Sequence, residues 1–333
     1  VHNLPIRSCP LQVQEAVFSV EETRELDRIL QLSYNPMSLN IFDENDKNFL
    51  WNLRFRIVFR PELLPAFVMA VTWSDTDKVQ TMYDLLDIWT IPMPTQALQL
   101  LDRRFIDPKV RAFAVHCLEI LKDNDLSLYM LQLCQQLKFE THVDSALSRF
   151  LLRRALYNQR LIGHIFFWTL HSELYNNDCK KRFTILLQIY LLNCGKHRIE
   201  LGQQMFVMKR FEKVAERVCE GDSKAARLEI LKVQLREIIL PDEFQLPLSP
   251  HIKVSGINVD KCRVMESKKK PLWLTLINAD PSGSEYVVML KVGDDLRQDA
   301  LILQLLRVMN DIWSKEGLDM QMQVYACIST GFE

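Results

Sequence analysis

The chain is 333 residues long, 48% hydrophobic and 25% charged, and its 41 Lys and Arg are offset by 42 Asp and Glu. That is enough chain for two ordinary globular domains, and a formal net charge of −1 excludes a chain-wide pull toward nucleic acid or an anionic bilayer, so any phosphate or lipid contact must be local. No apolar run reaches the roughly 20 residues of a membrane span, and the eight cysteines, with no Cys-x-x-Cys pair among them, read as reduced cytosolic thiols rather than a disulfide framework.

The first residues carry Pro5 and Pro10, no clear period and no secretory signal, and read as an incoming linker. Val1 is not an initiator methionine, which predicts a longer protein around this chain. Leu26, Ile29 and Leu30 fall on one side of a helix over 20–32, and Tyr34-Asn-Pro36 stops it. Asp43, with an acid three residues on at Asp46, predicts an N-cap before Phe49, Leu50 and Leu53. Helical spacing then recurs over 63–73, 78–89, 97–104 with Thr95 as its cap, 110–121 opened by Asp107-Pro108, 126–137, 143–156, 163–174 and 179–192. Short loops between them predict stacked antiparallel helix pairs. Leu101-Asp-Arg-Arg-Phe105 leading into Val110-Arg-Ala-Phe-Ala114 is echoed by Leu137-Lys-Phe139 leading into Val143-Asp-Ser-Ala-Leu147. The offset of about 35 residues suits a helical solenoid repeat.

One or two long helices occupy 200–240, and Pro241, Pro247 and Pro250 mark a boundary after them. Beyond it Leu272, Leu274 and Leu276 alternate with Trp273, Thr275 and Ile277. After the turn Asp280-Pro-Ser-Gly-Ser284, Tyr286, Val288 and Leu290 alternate with Val287, Met289 and Lys291. Period-two alternation around such a turn predicts a β-hairpin, with Lys291 on the face of Val287 and Met289. A serine-lysine turn, Ser267 to Lys270, stands at the hairpin's start. A hydroxyl, turn amides and positive charge on one small sheet suit a polyphosphate. Leu301, Leu305, Val308, Met309 and Ile312 then predict an amphipathic helix, and Met320 to Ile328 a strand. The seven histidines are dispersed; His164, among Ile165, Phe166, Phe167 and Trp168, reads as a packed histidine rather than a metal ligand.

Met265-Glu-Ser-Lys-Lys-Lys-Pro-Leu-Trp273 followed by Gly293-Asp-Asp-Leu-Arg-Gln-Asp299 resembles the amino-terminal lobe of a phosphoinositide 3-kinase. The helical block resembles the domain that precedes the kinase domain in the class I enzymes, through Asp46-Lys-Asn-Phe-Leu-Trp51, Val110-Arg-Ala-Phe-Ala-Val115, Leu137-Lys-Phe-Glu140, Ala146-Leu-Ser-Arg-Phe-Leu-Leu152 and Gly163-His-Ile-Phe-Phe-Trp168. One departure is an extra residue: Leu161 and Ile162 stand between Arg160 and Gly163 where the family pattern has one. Inside a helix an extra residue rotates every later side chain by about 100°, and the expectation is that a helix boundary absorbs it.

The resemblance implies a mainly α fold, a HEAT/armadillo-like helical solenoid, followed by a partial α+β kinase N-lobe. The expected division is linker over 1–30, helical domain over 31–200, connecting helices and a proline-rich linker over 201–250, and partial N-lobe over 251–333. By resemblance Lys291 contacts nucleotide phosphates with Ser267, Asp299 and Tyr325 close the inner end of the ATP pocket, and Met265 and Trp273 form its apolar roof. ATP and magnesium are the implied cofactors of the parent enzyme, a phosphoinositide lipid its substrate, and a regulatory subunit its partner through acids of the helical domain. Here those acids are Glu44 and Asp46, with Ile41 where one subgroup has an acid. Cytoplasmic location with peripheral membrane recruitment is implied, and no nucleic-acid partner.

The Asp-Arg-His-x-x-Asn and Asp-Phe-Gly strings of the family do not occur in these 333 residues. No catalytic residue, no metal ligand and no turnover are therefore expected of the chain alone. Two rivals stay open. One is a class II or III lipid kinase or a 4-kinase, favoured by Leu246-Pro-Leu-Ser-Pro250 and Gly317-Leu-Asp-Met-Gln-Met322. The other is a non-catalytic helical scaffold with a vestigial nucleotide lobe.

Overall fold

The computed structural model describes residues 17–34 and 42–331. The linker up to residue 16, Asn35-Pro36, Ile41 and the last two residues lie outside them. Two compact units result, Val1–Leu121 with Phe139–Leu147, and Lys122–Lys138 with Ser148–Glu333.

In the first unit α1 (Val20–Ser33) starts at a capping box: the Glu22 amide donates to Ser19 Oγ at 3.1 Å and the Ser19 amide to Glu22 Oε2 at 2.8 Å. The helical block thus begins inside the stretch assigned to a linker ending at residue 30. α2 (Glu44–Asn52) opens as its sequence predicts, with the Asp46 amide on Asp43 Oδ1 at 2.8 Å. Asp46 also bonds Arg28 and is buried, so its carboxylate is engaged with the cap and with Arg28. Glu44, by contrast, has its side chain 81% exposed.

α3 (Leu64–Ala70), α4 (Thr76–Leu86), α5 (Pro94–Ala97) and α6 (Pro108–Leu118) complete this unit's helices. Phe67 of α3 stacks on Trp51 and Trp89 with ring centroids 6.1 and 5.3 Å away. Thr95 does not cap α5. Pro94 takes the first turn, where a missing amide costs nothing, and the Met93 amide donates to Gln96 Oε1 at 2.9 Å. The suspected repeat has a physical counterpart. Single 3₁₀ turns, Leu98–Leu101 and Leu137–Phe139, precede the second helix of each echo. Arg111 from the first echo is buried against Glu140 from the second, Nε to Oε1 2.8 Å, and donates to the Leu101 and Phe105 carbonyls at 2.8 and 3.1 Å. Removing one partner of such a buried pair costs about 3–5 kcal/mol, because the other charge is left stranded.

The second unit holds α7 (Asp123–Gln136), α8 (Ala146–Tyr157), α9 (His164–His171), α10 (Asn177–Asn193), α11 (His197–Cys219) and α12 (Lys224–Glu237), then five strands and a last helix. The extra residue is absorbed between α8 and α9. Residues Gln159–Gly163 form a π-turn, closed by the Gly163 amide on the Asn158 carbonyl at 2.9 Å. Gly163 has to be glycine here, since a Cβ would sit 2.1 Å from the Tyr190 hydroxyl and 2.6 Å from the Ala155 carbonyl.

The strands are β1 (Phe244–Leu246), β2 (Ser249–Ile257), β3 (Arg263–Val264), β4 (Leu272–Asn278) and β5 (Tyr286–Leu290), followed by α13 (Arg297–Lys315). All ladders are antiparallel, in the order β1-β2-β4-β3, with β5 on β4. The prolines read as a boundary sit within or beside β1 and β2, which belong to the sheet; Pro250 tolerates a strand whose ladder shifts register. Val207, Phe211, Val214 and Val218 of α11 and Leu231 and Leu235 of α12 pack under the sheet, in one core with Leu272, Leu274, Leu276 and Val288.

The strand expected over Met320–Ile328 is corrected: among the described residues this segment joins no ladder. One carbonyl in it, and one just beyond it, are met by side chains instead. Arg307 Nη2 donates to the Tyr325 carbonyl and His171 Nδ1 to the Thr330 carbonyl, each at 3.0 Å. Alternating sequence without a partner edge does not make a strand.

His164 is packed, as its neighbours imply: it is buried and its Nε2 donates to the Pro247 carbonyl at 2.7 Å. His197 Nδ1 shares a 2.8 Å hydrogen bond with the Tyr190 hydroxyl. His164 Nδ1 and His197 Nε2 have no partner. Burial pulls both imidazoles from 6.5 down to about 4, and for His197 the charge of Arg160 adds to the effect. The unfolded chain therefore binds more protons than the fold below pH 6.5, so this stability is complete above 6.5 and is lost as pH falls toward 4. We expect unfolding free energy to drop over that window, by up to about 3 kcal/mol per histidine. Denaturant titrations from pH 7 to 4.5 check it: His197→Asn should give a shallower fall than wild type, and equal slopes would contradict the buried neutral pair.

Candidate functional site

The hairpin of β4 and β5 has the predicted register. Leu272 faces Leu290, Trp273 faces Met289, Leu274 faces Val288, Thr275 faces Val287 and Leu276 faces Tyr286. Its turn is closed by the Gly283 amide on the Asp280 carbonyl at 2.9 Å, and Asp280 Oδ1 accepts from the Ser282 amide and hydroxyl at 2.9 and 2.7 Å. A Cβ at Gly283 would collide with Asn278 at 2.2 Å. Pleating divides the residues between two faces. Leu272, Leu274, Leu276 and Val288 are buried, whereas Val287 and Met289 are 45% and 46% exposed. Trp273 lies across from Met289 on that outer face, with the Arg263 guanidinium 4.6 Å above its ring.

A cavity of about 590 Å³ opens along β5, within the range of small-ligand sites. It is lined by four of the six residues expected at an ATP site: Lys291, Asp299, Tyr325 and Trp273. Lys291 comes directly after β5, its side chain 30% exposed and its ammonium 3.7 Å from Asp294. Asp299 is in the first turn of α13, and Tyr325 is 69% exposed on the segment beyond that helix. Ser267 and Met265 do not line the cavity. Ser267 is exposed in a tight turn, where its amide donates to the Met265 carbonyl at 3.2 Å and its carbonyl accepts the Lys270 amide at 3.0 Å. Those two turn amides are engaged within the turn, which leaves less of an amide cradle than the sequence implies. Lys270 takes a left-handed φ of 45°. The turn nevertheless reaches the loop after Lys291: Lys269 Nζ bonds the Gly293 carbonyl.

Sequence reasoning misses two parts of the lining. Met208, Phe211 and Glu212 of α11, with Leu246 to Leu248, form one wall, although the sequence marks 201–250 only as a connector. The signal is present in the helical spacing of Met208 and Phe211, but its partner is not. Cys327 is the second. Burial, then the Asp299 charge, push its thiol up, while Lys291 and Arg307 pull the other way. It is therefore a protonated, unreactive wall residue beside the Lys291–Asp299 end. Burial and the neighbouring Glu216 also push Glu212 up, against the opposing charge of Lys209.

The arrangement places one cation, Lys291, beside an apolar slot that Glu212, Asp294 and Asp299 also line. Among the described residues no group of three or more His, Cys, Asp or Glu is arranged to hold a metal ion.

Residues 15–203 match the family described as "Phosphoinositide 3-kinase family, accessory domain (PIK domain)", and residues 285–333 the one described as "Phosphatidylinositol 3- and 4-kinase". The chain is 41% identical over 286 residues to phosphatidylinositol 3-kinase 2 of Dictyostelium discoideum, covering 86% of this chain and 15% of that protein. It is 43% identical over 284 residues to phosphatidylinositol 3-kinase 1 of the same organism, covering 85% and 18%. With the phosphatidylinositol 4-phosphate 3-kinase C2 domain-containing subunit alpha of Pongo abelii it shares 36% over 317 residues, covering 93% and 19%. The chain thus spans less than a fifth of each of these relatives.

Proposed function

The chain belongs to the phosphoinositide 3-kinase family, and from that premise we propose that it supplies the helical support and the phosphate-binding half of an ATP-dependent phosphatidylinositol 3-kinase. The observation that carries the reading is the cavity along β5, which Lys291 lines together with Asp299, Tyr325 and Trp273. A bound nucleotide would supply the transferable phosphoryl group. Lys291 would hold its phosphate oxygens and offset their charge, and Trp273, Met289 and Val287 would cover its apolar body. The acceptor is a phosphoinositide 3-hydroxyl, presented at a membrane surface by a cytoplasmic enzyme. The remaining parts, which orient that hydroxyl and hold magnesium, would come from other segments of the parent.

A second reading is the class II type. Its support is the 36% identity, over 93% of this chain, to a relative named for phosphatidylinositol 4-phosphate, together with Leu246–Pro250 and Gly317–Met322. Turnover of the parent on vesicles of phosphatidylinositol, its 4-phosphate and its 4,5-bisphosphate separates the two. Preference for the bisphosphate supports the class I type, and preference for the first two supports the second reading.

In the parent, Lys291→Met should abolish phosphoryl transfer with little change in unfolding temperature, since Lys291 is half-buried and its only described ion pair is a loose one with Asp294. The 333-residue chain by itself should bind ATP no better than the millimolar range, about −4 kcal/mol, because few contacts must offset several kcal/mol of lost motional freedom. ATP titration and lipid turnover of both proteins, side by side, check this; micromolar binding or turnover by the 333-residue chain would contradict it.

For the regulatory subunit, Glu44 is the acid left to make a contact, being exposed and paired only with Lys47 on its own helix at 2.8 Å. Charge reversal, Glu44→Lys, should weaken such a complex by about 1 kcal/mol or less. An unchanged affinity would remove Glu44 from the interface.

A further inference from the structure

Glu173, just past α9, is a charged side chain in a place that needs a reason: it is 4% exposed. Three donors from two parts of the chain, the end of α7 with the turn after it and the start of α13, converge on it. Gln135 Nε2 donates to Oε1 at 2.8 Å, Lys138 Nζ donates to Oε2 at 3.0 Å, and Arg297 Nη1 stands 3.5 Å from Oε2. Burial alone would push this carboxyl up. The hydrogen bonds from Gln135 and Lys138 and the charges of Lys138 and Arg297 outweigh it and hold the group below its usual range, so it is ionised at neutral pH.

The third donor links it to the cavity. Arg297 is the first residue of α13, and its guanidinium does three things at once. It reaches Glu173, it lies 4.7 Å over the Tyr175 ring, and it clamps Asp295 from Nε and Nη2 at 2.8 and 2.6 Å. The loop it closes runs back through Asp294 to Lys291, and the helix it opens carries Asp299 one turn from the same end. We propose that Glu173 is a positioning residue for Lys291: its buried carboxylate anchors Arg297 and thereby fixes the loop that presents the phosphate lysine. This rests on the reading of Lys291 as the phosphate contact.

The charge arithmetic makes the proposal specific. With Glu173 neutral, Lys138 and Arg297 become like charges facing one site, and the start of α13 is pushed away from it. Glu173→Gln should therefore loosen the loop without emptying the core. Glu173→Asp keeps the charge at a shorter reach and should fall between. Adding Lys138→Gln to Glu173→Gln removes the leftover repulsion and should restore much of the loss, which a simple packing defect would not allow.

The test uses the intact kinase that carries this chain, with KM for ATP, kcat and amide hydrogen exchange over 292–300 as readouts. Glu173→Gln should raise KM for ATP on the order of 10-fold, short of the 100-fold that an ångström of misplacement can cost, with a smaller change in kcat and faster exchange over 292–300. A lower unfolding temperature with KM and local exchange unchanged would overturn the proposal, and so would failure of Lys138→Gln to restore them. If Glu173→Gln does not fold, Glu173→Asp carries the same comparison. If wild type turns over no lipid, the phosphate reading fails, and the exchange data still decide whether Glu173 anchors the loop.

Discussion

One face of a small sheet has to be buried, and α11 and α12 bury it. Leu272, Leu274, Leu276 and Val288 share a core with Val207, Phe211, Val214 and Leu231, each large side chain contributing roughly 1.5–3 kcal/mol on burial. Because side chains alternate along a strand, that choice sends Val287, Met289 and Lys291 to the other side. A one-residue slip of β5 would turn Lys291 toward the core and Val288 away from it, at the full cost of an unpaired buried charge. Lys291 is thus aimed by hydrophobic patterning several residues away from it.

The same constraint explains where the prolines belong. A three-proline stretch reads as a linker, yet β1 and β2 run through it and lie against α11. The sheet and the helices beneath it form part of one compact unit, and the other compact unit is built around the Phe67 stack and the Arg111–Glu140 pair. Two cores therefore replace the single packed run of helices that uniform helical periodicity implies.

Local chemistry is legible in the sequence. The hairpin register comes from period-two alternation, the Asp43 cap from its spacing to Asp46, and the packed state of His164 from its aromatic neighbours. The extra residue before Gly163 is legible as an irregularity, and the π-turn is its physical form. Features that depend on long-range partners are not legible. Met320–Ile328 carries strand-like alternation, but its Tyr325 carbonyl, and that of Thr330 beyond it, meet Arg307 and His171. Asp46 looks like a surface acid until Arg28, eighteen residues upstream, closes over it. Met208, Phe211 and Glu212 join the cavity because a helix crosses beneath the sheet. No residue pattern announces Glu173, whose three donors lie 38, 35 and 124 positions away in sequence.

The two-faced character of β5, on which the placement of Lys291 depends, can be measured directly. Single cysteines introduced at 287, 288, 289 and 290, in a Cys219→Ser background, can be labelled with a polar thiol reagent under native conditions. The structure predicts fast labelling at 287 and 289 and slow labelling at 288 and 290, with a nucleotide triphosphate slowing position 289 most in the parent enzyme. Equal reactivity along the strand, or protection at 287 and 289 with exposure at 288, would contradict the burial of this face against α11 and α12, and with it the placement of Lys291.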